Sequence, residues 1–166
     1  FIDSPPISIV FGLNVAPFGM GFNRRVNDQI VGAAKDGTPF SAFKYSSTEW
    51  RTSGYVLTMP LPRSLPPGAV WRGQWRLPDL GPSVAQEDLT ASGHVSPYAQ
   101  FLLDAIGPHL SGGYRITVDH NQLVLFDAPT DADPLEQSVE LLATLRSLVL
   151  DTAPAALRWK DPPRQL

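Results

Sequence analysis

Apolar and polar positions alternate with period two through the first half of this chain, and two blocks of the second half switch to helical spacing. From Val26 to Pro60 the pattern reads as an antiparallel meander. Asp36-Gly37 separates two extended runs, Gln29–Lys35 and Pro39–Ser46. An Asp-Gly pair in that setting predicts a two-residue type I′ turn with positive φ at both central residues. In the second run Phe43 and Tyr45 share one face, with Ala42 and Lys44 on the other. Gly54–Met59 sets Tyr55, Leu57 and Met59 against Val56 and Thr58, so both faces of that strand are expected to be buried. Glu49-Trp50-Arg51 reads as a connecting turn whose tryptophan lies over a sheet edge. Pro60, Pro62, Pro66 and Pro67 then stop the ladder, because proline has no N–H to donate.

Gly68–Leu77 is the cleanest alternation in the chain. Trp71, Gly73, Trp75 and Leu77 fall on one face, read as the core side. Val70, Arg72, Gln74 and Arg76 fall on the other, read as wet. Residues 78–95, rich in Pro, Gly, Ser and acids without periodicity, read as a surface loop or internal linker.

The last third has helical grammar. Ser96-Pro97 reads as an N-cap followed by proline at the first helical position. Tyr98, Phe101, Leu102, Ala105 and Ile106 form the buried stripe, and Gly107-Pro108 stops it. Tyr114, Ile116 and Val118 alternate with Arg115, Thr117 and Asp119, and a turn at His120-Asn121 leads into Leu123–Phe126, a second hairpin. Asp133-Pro134-Leu135-Glu136 resembles a capping box. The helix it opens carries Leu135, Val139, Leu142, Leu145 and Val149, a face wide enough to lie across a sheet. Residues 152–166 read as an irregular tail. At the other end, Ile7–Leu13 reads as a buried strand or a strapped-down arm, and Pro17, Gly19 and Gly21 rule out a helix after it.

Composition narrows the class. A chain of 166 residues is read as one domain, long enough to bury roughly 70% of the surface it exposes when unfolded. A net charge of −3 lacks the basic footprint of a nucleic-acid binder, so no nucleic-acid partner is expected. There are no cysteines, which excludes disulfides, thiolate catalysis and zinc-thiolate sites. The first residue is Phe1, not Met, from which a leader, anchor or further domain upstream is expected.

Candidate chemistry is sparse. His94, His109 and His120 are scattered without metal-ligand spacing. The Gly19-Met20-Gly21 triplet lacks the strand and helix that a phosphate-binding turn needs. Neither a nucleophile elbow nor a P-loop occurs. No cofactor, metal or catalytic residue is assigned. Asp119, Asp127, Asp131 and Asp133 flank the second hairpin, where turn and cap roles account for two of them.

Residues 17–62 resemble a family of uncharacterised actinobacterial proteins. The shared pattern is a PFG-x-G opening with a basic pair, a G-x-x-x-G-x-P-F-x-A-F-x-Y hairpin and a strand ending in LPxxLP. In this chain it falls on Pro17-Phe18-Gly19, Arg24-Arg25, Gly32, Gly37, Pro39-Phe40, Ala42-Phe43, Tyr45 and Leu61-Pro62. The closing helix, hairpin and Asp-Pro-Leu helix are also similar, so the resemblance covers about two-thirds of the chain. Residues 78–95 depart from the pattern, lacking a longer intervening strand region. The resemblance implies one N-terminal transmembrane helix followed by basic residues, which puts this domain on the cytoplasmic face of a membrane. It implies no activity and no catalytic residues.

The expected architecture is therefore α+β: an antiparallel sheet of about six strands, meander plus C-terminal hairpin, with two helices packed on one face. The leading functional expectation is a non-enzymatic interaction or sensing domain of a membrane-tethered protein, meeting a protein partner through the wet faces of the meander and of the strand that carries Arg72, Gln74 and Arg76. The membrane would be reached only through a segment outside this chain. The alternative is a small-molecule or lipid-binding domain, its pocket between sheet and helices lined by Trp71, Trp75, Tyr114 and Phe126. A hydrolase with a dispersed site ranks third.

Overall fold

The computed structural model describes residue 18 and residues 23–48, 52–73, 81–110 and 114–153. They form eight strands: β1 (Arg25–Ala33), β2 (Pro39–Ser46), β3 (Tyr55–Pro60), β4 (Gly68–Arg72), β5 (Ser83–Gln86), β6 (Leu89–Gly93), β7 (Arg115–Asp119) and β8 (Gln122–Ala128). Two α-helices, α1 (Ser96–Ile106) and α2 (Ala132–Thr152), complete the domain, with a short 3-10 turn at Gly107–His109. The α+β class and the two helices are as expected; the strand count is not.

The two additional strands come from the stretch read as a loop or linker. β5 and β6 pair as an antiparallel hairpin. Their sequences hide it because Ser83, Thr90 and Ser92 supply small polar side chains where an internal strand would alternate apolar ones. β5 lies at one end of the sheet and is mostly exposed, so it has little apolar surface to hide.

The order across the sheet is β1-β2-β3-β8-β7-β4-β6-β5, all antiparallel. The C-terminal hairpin is thus inserted between β3 and β4 instead of extending an edge. The prolines explain the vacancy it fills: Pro60–Pro67 breaks the ladder after β3, and β4 restarts three positions along the sheet, leaving room for two strands. The same connection is stitched to the inserted hairpin, with the Leu61 N–H donating to the Asn121 carbonyl (2.6 Å) and the Leu65 N–H to the His120 carbonyl (2.9 Å).

One row of the sheet explains its core. Ala42, Leu57, Leu125, Ile116, Val70 and Ala91 are successive cross-strand partners from β2 to β6, and all are buried on the side covered by both helices. α2 adds Leu135, Val139, Leu142, Leu145 and Val149, and α1 adds Tyr98, Leu102 and Ile106. Close approach is built in: a Cβ on Gly68 would come within 2.6 Å of the Leu102 Cδ1, so glycine lets α1 settle on β4. Burying a helix face of this width is what holds such a layer, at about 25 cal/mol per Å² of apolar surface.

Local details differ from expectation in two places. The β1–β2 turn is not type I′: Gly37 alone takes positive φ (87°), and Asp36 does not. The Gly37 N–H bonds the Ala34 carbonyl (2.9 Å), and the Asp36 carboxylate accepts the Thr38 N–H (2.9 Å), so one left-handed glycine closes a longer loop. Each helix also starts earlier than its cap signal. Val95 and Asp131 occupy the N-cap positions, neither with a side-chain cap bond. Asp133 falls instead in the first turn of α2, where the helix dipole favours a carboxylate.

Candidate functional site

The helix-side row ends in polarity. Two rungs beyond Val70–Ala91–Val84, the next on the same face, the cross-strand partners are Arg72, Leu89 and Gln86, and here α1 runs out. Its last turn and the following Gly107-Pro108 stand over this rung, leaving a cleft of about 390 Å³ lined by Arg72, Gln86, Glu87, Leu89, Leu103, Asp104, Gly107 and Pro108. The approach is close: a Cβ on Gly107 would meet the Leu89 Cδ1 at 3.2 Å, so the leucine side chain would have to give way by a few tenths of an ångström. Glu87 sits in the β5–β6 turn with φ of 51°. That turn is anchored to the end of β4 by the Gly73 N–H donating to the Asp88 carbonyl (3.3 Å).

Arg72 is half-buried, and its Nε donates to the Leu110 carbonyl (3.1 Å), which fixes the guanidinium at the cleft wall. Asp104, on the exposed side of α1, accepts a 2.7 Å bond from Gln100 Nε2 at one carboxylate oxygen. Neither Glu87 nor Asp104 forms an ion pair with Arg72. The cleft therefore presents donors and acceptors facing a shared space with their charges unspent on each other.

The sheet face away from the helices is a different environment. Phe18, Phe43, Tyr45, Val56, Val124 and Phe126 form a second buried cluster. Phe18 lies 5.6 Å from Phe126, stacked, and 5.0 Å from Tyr45, edge-on. The row continues past Phe126 to Arg115, Trp71 and Thr90. Arg115, Thr117 and Asp119, read as the wet side of β7, are all buried. Burial pulls the Arg115 pKa down to about 10, with the Asp127 carboxylate acting in the opposite direction.

The pocket expected between sheet and helices is not lined as expected. Trp71 and Phe126 flank Arg115 on the opposite face of the sheet, whereas Tyr114 packs at the margin of the helix-side core. The register explains this: Ile116 and Val70 are partners under α1, so the tryptophan next to Val70 must point away. Trp75, Gln74 and Arg76 lie outside the described residues, as does Trp50. Of Arg72, Gln74 and Arg76, Arg72 alone is described, and it stands in the cleft. Glu87, Asp104 and Gln86 were not anticipated, because they reach Arg72 only through the β5–β6 hairpin and the end of α1.

A second exposed feature is the edge at β1. No other described strand lies beyond it, and it carries the exposed apolar side chains Ile30 and Val31. The Ala34 N–H bonds the Thr38 carbonyl (2.8 Å), and the next rung pairs Ala33 with Pro39. Because Pro39 has no N–H, that rung is a non-hydrogen-bonded one, and alternation then turns the backbone groups of Ala33 and Val31 outward. A bulge interrupts the strand where Asp28, at φ of 52°, is the extra residue. Asp28 meets Lys44 at 3.1 Å.

Among the described residues, no group of three or more His, Asp or Glu side chains is placed to hold a metal ion, and no helix is long and apolar enough to cross a membrane. No protein-family model and no curated protein matches the chain. Among solved structures, the chain is similar to the mycobacterial trehalose monomycolate transport factor A, TtfA, at 10% sequence identity and a TM-score of 0.60. The match covers 93% of this chain and 85% of that one, so the likeness is one of fold over nearly the whole domain.

Proposed function

We propose that this is a non-catalytic interaction domain that takes an extended segment of a protein partner along the outer edge of β1. One observation carries the reading: outward-facing backbone groups at Val31 and Ala33, next to the exposed side chains of Ile30 and Val31. Soluble domains usually cover or charge such an edge, and strand addition is a common way to use one. The resemblance to membrane-anchored actinobacterial proteins supports placing the domain in a membrane-tethered protein, on the cytoplasmic face. An upstream sequence without a hydrophobic run would overturn that placement.

Val31→Pro tests the edge. Proline at this position removes an N–H directed outward and leaves the β1–β2 ladder intact. Partners crosslinked to the membrane-extracted, full-length protein should be lost from the variant, while its thermal unfolding stays near that of the parent. Retention of the same partners would end the reading.

A second reading, small-ligand binding, is favoured by the cleft at Arg72. A structural neighbour that serves in transport of a glycolipid is consistent with it, though at 10% identity the likeness carries only the fold. The site for this reading lies at the end of α1, not beneath the helices.

A further inference from the structure

We infer that the cleft at the end of α1 binds a neutral polyhydroxylated group, a mono- or disaccharide, free or as the headgroup of a lipid. The inference rests on the second reading above, that the cleft is a ligand site, and supplies the class of ligand.

The lining selects for hydroxyls. Arg72 offers guanidinium N–H donors held at the wall by its bond to the Leu110 carbonyl (3.1 Å). Glu87 and Asp104 offer carboxylate acceptors, and the Gln86 amide offers both. A hydroxyl group donates and accepts at once, so a ring bearing several can satisfy both kinds of partner around one small space. Charge-assisted bonds of this kind are stronger than neutral ones.

Other classes fit less well. A bare anion attracted to Arg72 meets two carboxylates in the same cleft, and a bare cation attracted to the carboxylates meets the guanidinium. Leu89 and Leu103 give the floor two apolar side chains, suited to the C–H face of a sugar and far too little for an acyl chain. The volume, about 390 Å³, is at the lower end of the roughly 300–1,000 Å³ typical of small-ligand sites.

The test uses the 166-residue chain labelled with ¹⁵N and three probes: trehalose as a neutral disaccharide, phosphoethanolamine as a zwitterion, and inorganic phosphate as an anion. Trehalose should move the amide signals of Gln86–Leu89 and Leu103–Leu110. Arg72→Gln and Glu87→Gln should each weaken it by roughly tenfold, the scale of one lost hydrogen bond to a charged group. The rest of the spectrum should stay in place, which reports that the fold survives. Tighter binding of phosphoethanolamine or phosphate than of trehalose overturns the sugar class and leaves the ligand reading standing. Unchanged trehalose affinity in both variants overturns the site. No response to any probe up to its solubility limit overturns both the inference and the reading beneath it.

Discussion

The guanidinium carbon of Arg115 lies 3.7 Å from the centre of the Phe126 ring, and the two residues are direct cross-strand partners on β7 and β8. This cation–π contact is fully buried on the sheet face away from the helices. A desolvated contact of this kind contributes about 2 kcal/mol.

Arg115→Ala should therefore destabilise the domain, by roughly 2–5 kcal/mol as for other large-to-small changes of buried side chains. Arg115→Met should cost less. It keeps most of the stem and removes a charge that burial already disfavours, as the depressed pKa shows. Urea unfolding of the two variants gives the comparison. Equal losses would mean that the charge itself, not the packed stem, is what the site requires.

Leu142 tests the helix layer. It is fully buried on the face of α2 that covers the sheet. Leu142→Ala should lower stability by roughly 2–5 kcal/mol. Leu142→Asp should leave no folded protein, because it buries an unpaired charge among Leu and Val side chains. A folded Asp variant, judged by near-UV circular dichroism, would contradict the packing described for α2.

Asp36 gives the pH dependence. Hydrogen bonds from Thr38, backbone first and then side chain, hold its carboxyl below the usual aspartate value of 3.8. A carboxyl whose folded pKa is depressed stabilises the fold above the unfolded value, and that contribution is lost as pH falls through the folded pKa. A carboxyl-detected NMR titration should place the Asp36 midpoint below 3.8, and in Thr38→Val its hydroxyl contribution should be gone and the midpoint higher. A midpoint at or above 3.8 in the parent would mean that the turn bond does not persist in solution.

Much of the architecture was legible because each strand of the core announces itself twice, by alternation and by a stop. Tyr55, Leu57 and Met59 fall on the helix side and Val56 on the other, as their period requires. The final helix is readable from its leucines alone. The order of strands was not readable, since nothing local in Arg115–Ala128 says that its neighbours are β3 and β4. The polar side of β7 misled for a different reason: Arg115, Thr117 and Asp119 look like a solvent face, but the sheet face away from the helices is itself buried, with Phe126 and the aromatic cluster around Phe18 beside them. Arg72 was identifiable as a surface arginine. Its cleft was not, because Glu87 and Asp104 come from separate elements and converge only in three dimensions.

The insertion of β7–β8 between β3 and β4 also sets how the domain can assemble. Until Arg115–Ala128 has been made, the strands available to pair are β1–β3 and β4–β6, and the native partners of β3 and β4 on their facing edges are still missing. Both edges wait for the same late hairpin, and pairings of such sequence separation are slow to form. Nascent chains truncated before Arg115 should therefore depend on chaperones, and the exposed edges of β3 and β4 are where such fragments would aggregate.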